Sequence, residues 1–166
     1  LADTLRRPPG STTDNREHDP GQLRLRVLYL DDDPQSVTRE IRLRDKVNET
    51  VHLAVPDALD CMVVVDRVDS SHAVRTFHEI GDISPLHATA GGRAILANSD
   101  RSDVDEMLAR PLKSYSEATL TDAQQLKAEL KQVAANGYAL NRNQFRPGVC
   151  AIASAILGED GSPLAA

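Results

Sequence analysis

Four histidines, two cysteines, two acidic runs and one side-chain-poor turn are the residues whose types and spacing bear on chemistry. His52, His72, His78 and His87 include no i, i+4 pair on one helix and have no Cys-x-x-Cys partner set, so they do not make a zinc signature. His87 is more simply a helix-start residue bonded to backbone. Cys150 has no His or Asp nearby in sequence to activate it, and a buried thiol without such a partner is inert. The acidic runs Asp31–Asp33 and Asp100–Glu106 read as solvated clusters at helix starts, where carboxylates meet the positive dipole end, rather than as cation sites. With no nucleophile–base pair, metal set or phosphate loop, the sequence points away from an enzyme and calls for no metal and no cofactor.

The turn Thr89-Ala90-Gly91-Gly92 is different in kind. Small side chains let a ligand approach backbone N–H groups, and a helix beginning there adds the positive end of its dipole, so a small carboxylate is the guest it would suit. The same run would equally serve a tight helix–sheet approach that demands small residues.

These positions need a scaffold, and the composition bounds it. The chain has 166 residues, 40% hydrophobic and 27% charged, which suits a single packed core and leaves no room for two complete domains. Aromatic residues are scarce, at 3% with no Trp, so the core must be aliphatic and stacking platforms for single-stranded nucleic acid are not expected. A net charge of −6 works against a phosphate-binding surface on this domain. Cys61 and Cys150 sit in apolar stretches, which predicts buried, reduced thiols and no disulfide framework. No apolar run approaches the roughly 18 residues that span a bilayer, and residues 1–24 are too polar for a secretory signal, so a cytoplasmic protein without membrane contact is expected.

Along the chain, residues 1–22 carry Pro8-Pro9-Gly10 and Asp19-Pro20-Gly21 and read as a loop or arm. A short strand follows at Leu23–Leu30, then an amphipathic, surface-lying helix over residues 34–47 that ends at Asn48. Thr50–Val55 and Cys61–Val68 are β-rich and predict a hairpin turning at Pro56 and Asp57, with a third strand near Val74–His78. Helices are predicted over 87–98, 103–109 and, with Thr121 as N-cap and Gly137 as C-cap, from Thr121 to Asn136. Val149–Leu157 reads as one buried strand, and Pro163–Ala166 as the start of the next. Strands with helices grouped between them argue for an α+β fold.

In order, four blocks of this sequence resemble the effector-binding domain of IclR-type transcription regulators. They are Glu49–Val55, Val64–Ser70, the segment Gly81–Ala97 with its proline, His87-Ala88 pair and Gly92-Arg93-Ala94 step, and the series Gly137-Tyr138-Ala139, Pro147-Gly148 and Gly161-Ser162-Pro163. The resemblance implies a GAF-like, mostly antiparallel sheet with helices on its faces. It assigns residues 31–166 to the effector-binding domain and residues 1–30 to an arm or the remnant of a winged helix-turn-helix and its linker. It also implies segments on either side, a DNA-binding domain before and a serine-bearing strand with further helices after Ala166, so the domain looks truncated at its C-terminus.

What the resemblance implies for the site is a small-molecule effector, a carboxylate or aromatic acid, held near Ala90 and Gly91 and facing Asn141, Val149 and Ala151. Asn141 and Ala151 depart from the Asp and Cys that the family pattern carries there, and Asn141 also reads as a turn residue. Thr76 and Ser84, by strand position, could line the same cavity. The implied partners are a second or further copies, as homodimer or tetramer, and operator DNA reached only through a helix-turn-helix not seen in this chain. The alternative function is a degenerate GAF-like module that serves only oligomerisation.

Overall fold

The computed structural model describes residues 35–58, 60–73 and 78–166. The expected arm, the strand at Leu23–Leu30, the Asp31–Asp33 helix start, Thr76 and all of the Val74–His78 strand but its last residue lie outside them.

Helix α1, Gln35–Val47, leaves Ile41, Leu43 and Val47 exposed, as a surface-lying helix should. Asn48 ends it in the left-handed region, φ 51°, with its N–H donating to the Arg44 carbonyl at 2.7 Å. Strands β1, Val51–Ala58, and β2, Cys61–Val68, then form the antiparallel hairpin. Pro56 and Asp57 do not turn the chain. They stay inside β1, and the register slips between Pro56 and Ala58, where a residue without an N–H is tolerated. A further strand, β3, Ile83–Pro85, runs antiparallel to β2.

Helix α2, Ala90–Leu96, follows directly, then α3, Arg101–Leu108, and α4, Ala123–Asn136. The N-cap of α4 is Asp122 and not Thr121, its carboxylate accepting from the Gln125 N–H at 2.7 Å. Gly137 closes that helix at φ 78°, a conformation that favours glycine. The predicted single strand at Val149–Leu157 is two pieces. β4, Ala139–Arg142, pairs antiparallel with β5, Cys150–Ala153, while β6, Ile156–Leu157, pairs with β7, Pro163–Ala165. Nor is this segment buried: Ile152 is 67% exposed and Leu157 46%. An apolar run of this length reads as core in sequence, but Cys150, Ala151 and Ile152 are all exposed, as are both residues of β6, and only Ala153 of the two strands is half-buried.

Ala54 and Ala166 exchange both backbone hydrogen bonds at 2.8 Å, the reciprocal pattern of an antiparallel pair, and so join the β6–β7 ribbon to β1. The main core packs Ala54 and Met62 of the hairpin against Ile95 and Leu96 of α2, Val104, Met107 and Leu108 of α3, and Leu126 and Leu130 of α4. All paired strands are antiparallel and the helices cover them, an α+β fold. Among the described residues no helix is long and apolar enough to cross a membrane.

Candidate functional site

The site is built on the entry to α2. Thr89 caps the helix twice over: its hydroxyl accepts from the Gly92 N–H at 3.1 Å and donates to the Pro85 carbonyl at 2.8 Å, clamping the helix start to β3. Gly92 is obligatory for packing, because a Cβ there would lie 2.2 Å from the Leu86 carbonyl oxygen. Gly91 is less confined, its open side meeting the flexible end of Met62 at 3.2 Å and Ala166 at 3.6 Å. Ala90 packs with Ala94, Val133 and Ala139 in a second apolar cluster, against which Ala153 also lies.

Asn141 ties this helix start to β4. Only 5% exposed, it points inward from the strand rather than forming a turn. Its side-chain N–H donates to the Ala88 carbonyl at 2.6 Å, and its Oδ1 accepts from the Gln144 N–H at 3.0 Å. A buried amide with both ends satisfied fixes the strand against the turn. In the β4–β5 ladder Asn141 pairs with Ala151, which is exposed, and Val149, half-buried, lies just before β5 with its carbonyl accepting from Asn143. The fold thus brings Ala90, Asn141 and Ala151 into one neighbourhood. Ser84 lies elsewhere, buried in β3 on the wall of a different cavity.

Arg93 was not singled out from sequence, and it is the most fully buried charged side chain of the site. It is 0% exposed on α2, with Nη2 donating to the Leu140 carbonyl at 2.5 Å and to Gln144 Oε1 at 2.6 Å. Its Nε and Nη1 have no hydrogen-bond partner among the described residues, and burial pulls its pKa down while Glu129 opposes that. The Gly92-Arg93-Ala94 step was the only signal available, and helical periodicity does not say that the arginine side of α2 faces a strand.

The histidines form a different feature. His52 and His78 meet edge to face, 5.3 Å between ring centres. Burial lowers the pKa of His52 to about 4, with His78 and Arg67 adding to the effect against the pull of Asp69 and Asp82. Among the described residues no three His, Cys, Asp or Glu side chains gather as a metal cluster. Cys61 is half-buried and its thiol is pushed up by burial, but Cys150, expected to be buried, is exposed. It pairs with Arg142, exposed like it, so the apolar stretch around Cys150 does not predict burial.

Two cavities flank these elements. One, of about 330 Å³, lies between the hairpin tip, β3, the end of α3 and Phe145 of the β4–β5 loop. The other, of about 270 Å³, lies between α4 and β4 and has Leu140 and Gln144, the acceptors of Arg93, on its wall.

Residues 35–166 match the family model described as Bacterial transcriptional regulator IclR C-terminal. The chain belongs to the IclR family. It is 33% identical over 126 residues to the transcriptional repressor IclR of Escherichia coli (strain K12), covering 75% of this chain and 46% of that protein. It is 32% identical over 146 residues to the HTH-type transcriptional regulator KdgR of the same organism, covering 87% of this chain and 55% of that one. Among solved structures, IclR of Thermotoga maritima superposes with a TM-score of 0.75 at 27% identity, over 78% of this chain and 53% of that chain. An IclR homologue from Microbacterium hydrocarbonoxydans, complexed with 4-hydroxybenzoate, gives a TM-score of 0.71 at 25% identity over 78% of this chain and 53% of its own. This chain therefore spans about half the length of the IclR relatives it matches. Those relatives are named as repressors and regulators of transcription.

Proposed function

We propose that this domain senses a small organic or aromatic acid at the entry to α2, with Ala90, Gly91, Asn141, Val149 and Ala151 as its contacts. Thr76, the further expected contact, lies outside the described residues. The observation that carries the reading is the Asn141–Ala88 hydrogen bond, which sets the exposed Ala151 of the β4–β5 ladder beside the capped start of a helix. A carboxylate there gains from the helix N-terminus and from an amide it can share with Ala88. The 4-hydroxybenzoate bound to the Microbacterium homologue supports this class of effector. Binding shifts the domain between two arrangements and moves DNA-binding heads in a homodimer or tetramer. Operator DNA is reached through a helix-turn-helix outside this chain, in the cytoplasm. A thermal-shift screen of aliphatic and aromatic acids tests the sensing role, and a melting temperature unmoved by every acid ends it.

A second reading draws on the alanine packing of α2 against β4 and β5, in which Ala90, Ala94 and Ala139 are all buried. If that contact leaves no space for a guest, the module serves assembly alone. Sedimentation would then give the same oligomer with and without every acid tested.

A further inference from the structure

The 330 Å³ cavity is not part of the α2 site, and its lining has a chemistry of its own. We propose that it is a second small-molecule site, which takes a small aromatic carboxylate bearing a polar group at the far end of its ring. The inference does not depend on the effector reading above.

Its volume falls at the small end of ligand pockets, which run from about 300 to 1,000 Å³, and suits a single ring. In a chain with 3% aromatic residues, Tyr115 and Phe145 both line this cavity, 5.1 Å apart edge to face, and His87 lies 5.8 Å from Tyr115. Both rings are half-buried, so each keeps surface for a flat guest to stack on.

The polar groups on the wall are Asp60, Ser84, His87, Arg110, Lys113 and the Tyr115 hydroxyl, with Asp60 the one carboxylate among them. Ser84 is 3% exposed, lines the cavity and has no side-chain hydrogen bond to any described residue. Its hydroxyl faces the cavity, where a guest's donor or acceptor can take the place of water. His87 donates its Nε2–H to the Lys113 carbonyl at 2.9 Å, which fixes the ring on the cavity wall. Lys113 Nζ, 5.2 Å from the centre of the Tyr115 ring, has no ion pair with a described residue, whereas Arg110 on the same wall is held by Glu106 at 3.1 Å. Lys113 is thus the cation for a carboxylate, with the ring against Tyr115 and Phe145 and the far polar group at Ser84 and His87.

Titration of 4-hydroxybenzoate into the isotopically labelled chain, followed by amide chemical shifts, tests this. The expected result is saturable movement of the Ser84, His87, Tyr115 and Phe145 amides. Cyclohexanecarboxylate, which lacks both the aromatic face and the hydroxyl, is expected to bind weakly. Lys113→Met keeps the exposed stem and Ser84→Ala removes no hydrogen bond, so both variants fold; each is expected to weaken binding about tenfold, the equivalent of ~1.4 kcal/mol. Shifts confined to the surroundings of Ala90, Asn141 and Ala151, no shifts at all, or variants that bind like the parent overturn the proposal.

Discussion

Asn141 on β4 donates its side-chain N–H to the carbonyl of Ala88, 53 residues earlier, at 2.6 Å and out of contact with water. That bond ties the turn before α2 to the β4–β5 ribbon, alongside the Arg93–Leu140 hydrogen bond. Asn141→Ala leaves the Ala88 carbonyl buried without a partner and is expected to destabilise the domain by about 1–3 kcal/mol. Urea unfolding checks it, through a lower midpoint at unchanged slope. Asn141→Asp sets a carboxylate oxygen against that carbonyl. Burial raises the folded-state pKa of such an acid, so the variant is expected to be most damaged at neutral pH and to recover as pH falls and the acid regains a proton to donate.

The paired glycines of α2 separate packing from tolerance. Gly92→Ala drives a methyl group to 2.2 Å from the Leu86 backbone, which cannot move without breaking the Thr89 cap, and should cost at least the ~1–3 kcal/mol typical of overpacking. Gly91→Ala meets only the end of Met62, and the gain of about 0.5–1 kcal/mol from replacing a helical glycine offsets it. Thermal melts of the two variants should therefore differ sharply, with Gly91→Ala close to the parent.

Much of the fold was legible because its signals are local. The α4 apolar spacing at Leu126, Leu130 and Val133 with Gly137 behind it, the hairpin β-runs and the Asn48 stop each encode one element, and the four-block resemblance set them in order. The proposed site was legible only in part. Ala90 and Gly91 announce themselves by size, but the inward turn of Asn141 depends on strand register, and Arg93 depends on which side of α2 meets β4. The split of Val149–Leu157 into β5 and β6 was hidden because an apolar run does not by itself show where one strand stops and the next begins, nor that its side chains are exposed. Ser84 looked like a neighbour of the α2 turn in sequence, while β3 directs it to another cavity.

The His52–His78 contact predicts a pH response. Burial lowers both pKa values, His52 to about 4 from an ordinary 6.5, so the unfolded chain takes up protons that the folded one refuses. Their contribution is fully present above pH 6.5 and is lost as pH falls from there toward 4. Chemical denaturation across that range should show stability declining with acidity, and His52→Gln should flatten the decline.

Calorimetric titration of the acid that most stabilises the protein, into the parent and into Ala151→Glu, tests the central claim most directly. Ala151 is exposed, so the variant keeps its fold, and a carboxylate there repels an anionic guest. The account predicts saturable binding to the parent, worth about 2.7 kcal/mol at a hundredfold excess over Kd, or roughly 5–10 °C in Tm, and its loss in Ala151→Glu. Equal binding to both proteins would contradict it.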